Sequence, residues 1–129
     1  AVWPPKRVMI AWDSRAEAAR AVHEALGFLQ GSEETRVVIV DPQAHGGSGA
    51  EPGADIAAYL ARRGLKVTVD RLPSAGKYIS DVLTQHAVDM QADLLVMGAY
   101  GHSRLRERIF GGVTQSMLDK PPLPLFLAR

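Results

Sequence analysis

Along the chain, short blocks of consecutive apolar residues alternate with stretches in which apolar residues recur every three or four positions. The first block, 7–12 (RVMIAW), is nearly continuous, as expected for a strand covered on both faces. Asp13-Ser14 then offers a helix N-cap, and Ala19, Val22, Leu26 and Leu29 make one apolar stripe, which predicts a helix over about 15–30. Residues 36–41 (RVVIVD) repeat the buried-strand signature, and 42–52, dominated by Gly, Pro and small polar residues, read as a loop. A helix over about 53–63 turns Ile56 and Leu60 inward and stops at Gly64, ahead of a third strand over 65–72. The next helix, about 77–92, carries Ile79, Val82, Leu83, His86 and Met90 on its inner stripe. Residues 94–97 (LLVM) then form a fourth strand ending at Gly98, and a helix near 112–120 and a strand over 123–128 follow.

Strands that alternate with helices, with no hairpin signal, imply right-handed crossovers. The predicted fold class is α/β, a doubly wound three-layer parallel sheet of about five strands with helices on both faces. Such sheets bind ligands beyond the carboxyl ends of their strands. That directs attention to Asp13-Ser14, Asp41-Pro42, Pro73-Ser74 and the long turn beginning at Gly98.

Length limits this to one domain, since 129 residues suffice for one core and not for two. Residues 1–6 read as a stiff linker or tail and 7–129 as the domain, and the Pro4-Pro5 pair has the look of a connection inside a longer protein. A net charge of +1, from 15 basic and 14 acidic residues, supplies no overall field for nucleic acid. No apolar run approaches the roughly 18 to 20 residues of a membrane helix. The absence of cysteine removes thiol nucleophiles, disulfides and thiolate metal sites together and suits a reducing, cytoplasmic setting.

Candidate chemistry gathers in one turn: Gly98-Ala99-Tyr100-Gly101, nine residues (His102 to Phe110), then Gly111-Gly112-Val113-Thr114. A glycine at a strand exit lets backbone approach a phosphate closely, and glycines opening a helix leave N–H groups aimed at an anion. Arg104, Arg106 and Arg108 make the loop basic. The competing reading is that these glycines only make a tight turn and pack the helix against the sheet.

The stretch GAYGHSRLRERIFGGVT resembles the G-2x-G-9x-G-(S/T) signature of the universal stress protein family, with Gly98, Gly101 and Gly111 at its three glycines. The AWDS segment at the end of the first strand is similar to the family's strand-end Asp segment, and the order of predicted elements matches one such Rossmann-like domain over essentially the whole chain. The resemblance implies a nucleotide-responsive stress module that binds ATP, with or without Mg²⁺. It places Ala11, Asp13 and Val40 near the nucleoside and Gly98, Gly101, Gly111, Gly112, Val113 and Thr114 near the phosphates. It also implies a homodimer, or a tandem pseudo-dimer, joined through the C-terminal strand. One position departs from the signature: Gly112 stands where the family offers Ser or Thr, so a hydroxyl donor to phosphate is missing while the backbone N–H groups remain.

Other enzyme readings fail on their residues. GxxxxGK[ST], G-x-S-x-G and H-E-x-x-H are absent, and the single Asp13 after strand one argues against a two-component receiver. With no evident general base or carboxylate pair for the γ-phosphate, at most slow ATP hydrolysis is expected. The alternative function is a dimerisation or interaction module of the same fold that binds no nucleotide. Asp13 serves either as a ribose ligand or as a routine helix-start device. His86 reads as a partly buried, satisfied histidine. His102 either contacts phosphate or sits in solvent, and Tyr100 either covers the nucleotide or packs against a neighbouring subunit.

Overall fold

A computed structural model of the chain describes residues 4–42, 51–99 and 112–128. In order, the elements are β1 (Arg7–Ala11), α1 (Ala16–Glu24), α2 (Leu26–Gln30), β2 (Glu34–Val40), α3 (Ala54–Ala61), β3 (Val67–Leu72), α4 (Ile79–Asp89), β4 (Leu94–Gly98), α5 (Gly112–Asp119) and β5 (Leu125–Ala128). The strands make one parallel sheet in the order β3-β2-β1-β4-β5. The chain thus steps outward from β1 to β3 and resumes on the other side of β1 with β4. The strand order reverses between β1 and β4, and the crevice such a reversal opens lies at their carboxyl ends.

Continuous apolar strands follow from burial on both faces. On one face Val8, Ile10, Val37, Ile39, Leu94 and Val96 pack against Ala21, Val22 and Leu29 of α1 and α2 and Ile56 and Leu60 of α3. On the other, Met9, Val38, Val40, Leu95 and Met97 meet Leu83 and Ala87 of α4 and Met117 of α5. At the amino ends, Asp93 Oδ2 accepts the backbone N–H groups of Lys6 (3.0 Å) and Arg7 (3.1 Å), joining the start of β4 to the start of β1. Pro5 is buried, and the Lys6 carbonyl accepts from the amides of Glu33 and Glu34.

The expected first helix is two helices, broken at Ala25 (φ −88, ψ 1). Its stripe also shifts. Ala19, expected inward, is exposed, while Ala18, Ala21, Val22 and Ala25 face the sheet. Alanine carries too little apolar area to fix a helix's phase by spacing alone, and small residues are selected where a helix lies close to a strand. β5 is shorter than expected because Pro122 and Pro124 lack N–H donors, although the Pro124 carbonyl still accepts from Leu95 at 3.0 Å.

His86 is satisfied and partly buried, in line with its sequence reading. Its Nε2 lies 2.8 Å from Asp70 Oδ2, the same oxygen that accepts Arg36 Nη1 at 3.1 Å. This tie fastens α4 to the outer two strands on that side. Burial penalises the Asp70 charge, but the hydrogen bonds from His86 and Arg36 outweigh it and hold the carboxyl below its ordinary value of 3.8. A depressed carboxyl stabilises the fold above that ordinary value and loses the contribution as pH falls below it. Asp70→Asn is therefore expected to cost about 1 kcal/mol near neutrality and to converge with wild type in acid. Urea midpoints taken at about pH 6 and about pH 3 check this, and an undiminished gap in acid rules out the Asp70 charge as the source.

Candidate functional site

Left-handed backbone marks the carboxyl edge. Among the described residues four non-glycines have positive φ, and three of them, Ser14 (φ 65), Asp41 (φ 51) and Ala75 (φ 53), lie just beyond β1, β2 and β3. An L-residue in this region costs roughly 1 to 2 kcal/mol, so the surrounding contacts must over-determine each turn. At β1, Asp13 Oδ1 accepts the Arg15 N–H at 3.0 Å, which folds the chain into α1, and the Trp12 amide donates to the Val38 carbonyl at 2.9 Å. At β2, the Asp41 amide donates to the Leu72 carbonyl at 2.8 Å, and Asp41 Oδ1 accepts the Ser74 N–H at 2.9 Å. The ends of the first three strands are stitched side by side.

Gly98 ends β4, and its lack of a side chain is used at once. A Cβ there would stand 2.6 Å from the Ala18 nitrogen and 2.7 and 2.8 Å from the Glu17 carbonyl carbon and Cβ. The first turn of α1 presses on the strand end so closely that only glycine fits. Glu17, 4% exposed, sits beside it in the positive first turn of α1. Sequence reasoning missed Glu17, because an acid in a first turn is the ordinary complement of a helix start. Ala99 continues the edge by donating its amide to the Ala128 carbonyl at 2.8 Å.

The structure brings four of the expected residues together. Ala11, half-buried Asp13, Val40 (5% exposed) and Gly98 stand at the carboxyl ends of the adjacent strands β2, β1 and β4. Gly112 is the first residue of α5, and Val113 packs in the core beside Met117 and Leu123. Thr114 lies in the first turn of the same helix. Gly101 and Gly111 lie outside the described residues, as do Tyr100, His102 and the three loop arginines. Asp13 and Asp41 bring carboxylates to the exits of β1 and β2, groups that accept from neutral donors such as sugar hydroxyls or amino groups. Among the described residues no group of three His, Asp or Glu is placed to hold a metal, and no helix is long and apolar enough to cross a membrane.

The universal stress protein family profile matches residues 4–129. A universal stress protein of Synechocystis sp. is 29% identical over 133 residues, covering 95% of this chain and 42% of that protein. Among solved structures, a universal stress protein family member from Burkholderia pseudomallei superposes with a TM-score of 0.69 at 18% identity, covering 98% of each chain. A universal stress protein in complex with cAMP gives 0.67 at 18% identity and the same coverage. A third, from Archaeoglobus fulgidus, gives 0.66 at 21% identity over 96% of this chain and 44% of its own. The chain spans less than half the length of the Synechocystis and Archaeoglobus proteins it matches.

Because backbone atoms of α1 occupy the place of a side chain at position 98, Gly98→Ala is expected to push the helix off the strand end and cost about 2 kcal/mol. Urea denaturation measures it. A variant as stable as wild type would show that α1 is not seated where the clash requires.

Proposed function

Since the chain belongs to the universal stress protein family, we propose that it binds ATP across the carboxyl edge of the sheet and acts as a nucleotide-responsive stress module. The observation that carries this reading is the gathering of Ala11, Asp13, Val40 and Gly98 where the strand order reverses. The exits of β1 and β2 would receive the nucleoside, with Asp13 accepting from ribose hydroxyls. The phosphates would lie along Gly98, Gly101, Gly111 and the first turn of α5 (Gly112, Val113, Thr114), where the loop arginines, together with Mg²⁺ when it accompanies ATP, would offset their charge. A relative solved with cAMP supports an adenine nucleotide as the ligand class. The role is binding and reporting, with at most slow hydrolysis, in the cytoplasm.

A second reading is supported by two observations. Packing against α1 by itself accounts for a glycine at 98, and β5 is an edge strand whose Leu125, Phe126, Leu127 and Ala128 are only half-buried. In that reading the domain is an interaction module, and the nucleotide site is inherited architecture. Pairing through β5, with a second copy or with a second similar domain in a tandem chain, fits both readings. Light scattering at about 100 μM should report a dimer, and a monomer with β5 intact would remove the β5 interface.

Equilibrium dialysis separates the two readings directly: the wild-type protein should retain ATP, and failure to do so at roughly millimolar nucleotide leaves the interaction module. The departure at Gly112 sharpens the test. Position 112 opens a helix, a place serine tolerates well. Gly112→Ser restores a hydroxyl toward the phosphates and is expected to tighten ATP by about 1 kcal/mol, five- to tenfold, with adenosine unchanged. Equal ATP affinities in two folded proteins would place position 112 away from the phosphates.

A further inference from the structure

We infer that Asp41 is a positioning residue for the nucleoside end of this site, an inference that rests on the proposed nucleotide reading. The residue is half-buried, and its unusual backbone is held from two directions. Its amide is committed to the Leu72 carbonyl (2.8 Å) and its Oδ1 to the Ser74 amide (2.9 Å), and both of these contacts run sideways to the exit of β3. Val40, immediately before it, is paired with Leu72 in the parallel register and forms the wall at the end of β2, one strand from Asp13.

The left-handed φ at position 41 turns the chain off the sheet directly after that wall. Asp and Asn tolerate this conformation best among residues with side chains. The carboxylate does a second task that glycine could not. It caps the Ser74 amide and thereby locks the end of β2 to the turn after β3, which fixes where the Val40 backbone stands when a nucleoside arrives. Holding a contact group within about half an ångström of its bound position is the kind of second support that governs affinity without touching the ligand.

Three proteins separate this role from its competitors. Asp41→Gly keeps the left-handed backbone and the amide contact to Leu72 and removes the carboxylate, and with it the acceptor for Ser74. Asp41→Asn keeps backbone, shape and an acceptor oxygen while removing the charge. Calorimetric titration with adenosine and with ATP should show Asp41→Gly weakened by the same factor for both ligands, about five- to tenfold, and Asp41→Asn within about twofold of wild type. Thermal midpoints should stay close together, because the glycine relieves strain as it removes the bond. Unchanged adenosine affinity in folded Asp41→Gly overturns the inference. Equal losses in the Gly and Asn variants overturn it differently, by making the carboxylate charge a direct ligand contact. A wild-type protein that binds neither adenosine nor ATP fails the site reading itself, and this inference falls with it.

Discussion

The closeness of α1 to the end of β4 is the contact on which the rest of the edge depends. A helix that follows β1 and yet leans on β4 must cross the line where the strand order reverses, and it does so at Gly98 without the spacing a side chain would impose. That seating fixes the first turn of α1, hence the tight Asp13-Ser14 exit from β1, and it buries Glu17 against the end of the strand. Had the helix stood one methyl group farther out, the crevice would be bounded differently on its β4 side. Packing and site construction are the same event here, which is why a glycine can belong to a binding signature and still be demanded by the fold.

Much of this was legible in the residues. Runs such as RVMIAW and RVVIVD, alternating with helical stripes and with no hairpin signal between them, fit a parallel sheet covered by helices, so the architecture and the strand number followed from pattern. The strand-exit residues were legible as places to look, because the topology sends ligands to that edge. What the pattern hid were features set by closeness. The phase of α1 is decided by Ala18 and Ala21 fitting near β4, and spacing cannot rank one alanine above another. The break at Ala25 leaves no stronger mark than Gly27 two residues later. Glu17 and the Asp41–Ser74 bond join residues by tertiary geometry, and the charge of a lone Asp or Glu does not announce its partner.

Two carboxylates mark the exits of β1 and β2, and each is engaged by its own turn: Asp13 accepts the Arg15 amide and Asp41 the Ser74 amide. Carboxylates favour hydroxyl and amino donors over anions at these exits. The half-buried Asp70–His86–Arg36 tie differs from these exits in role: it secures α4 to the outer strands and leaves the polarity of the edge to the exits themselves.

The bond from Asp93 to the amides of Lys6 and Arg7 has a consequence for the order in which the molecule is made. Its partners lie 87 and 86 residues apart in sequence, whereas the other neighbouring strands of the sheet are joined across only about thirty residues and close far shorter loops. β1, β2 and β3 can associate while the later chain is still unpaired, and β4 with β5 can do the same. The junction of β1 with β4 is the seam between these halves and carries the largest closure cost of the sheet. The edge at which the strand order reverses lies on that seam, so a chain with most of its strands paired would still lack it, and any ligand held there could stabilise only the chain in which the two halves have already met.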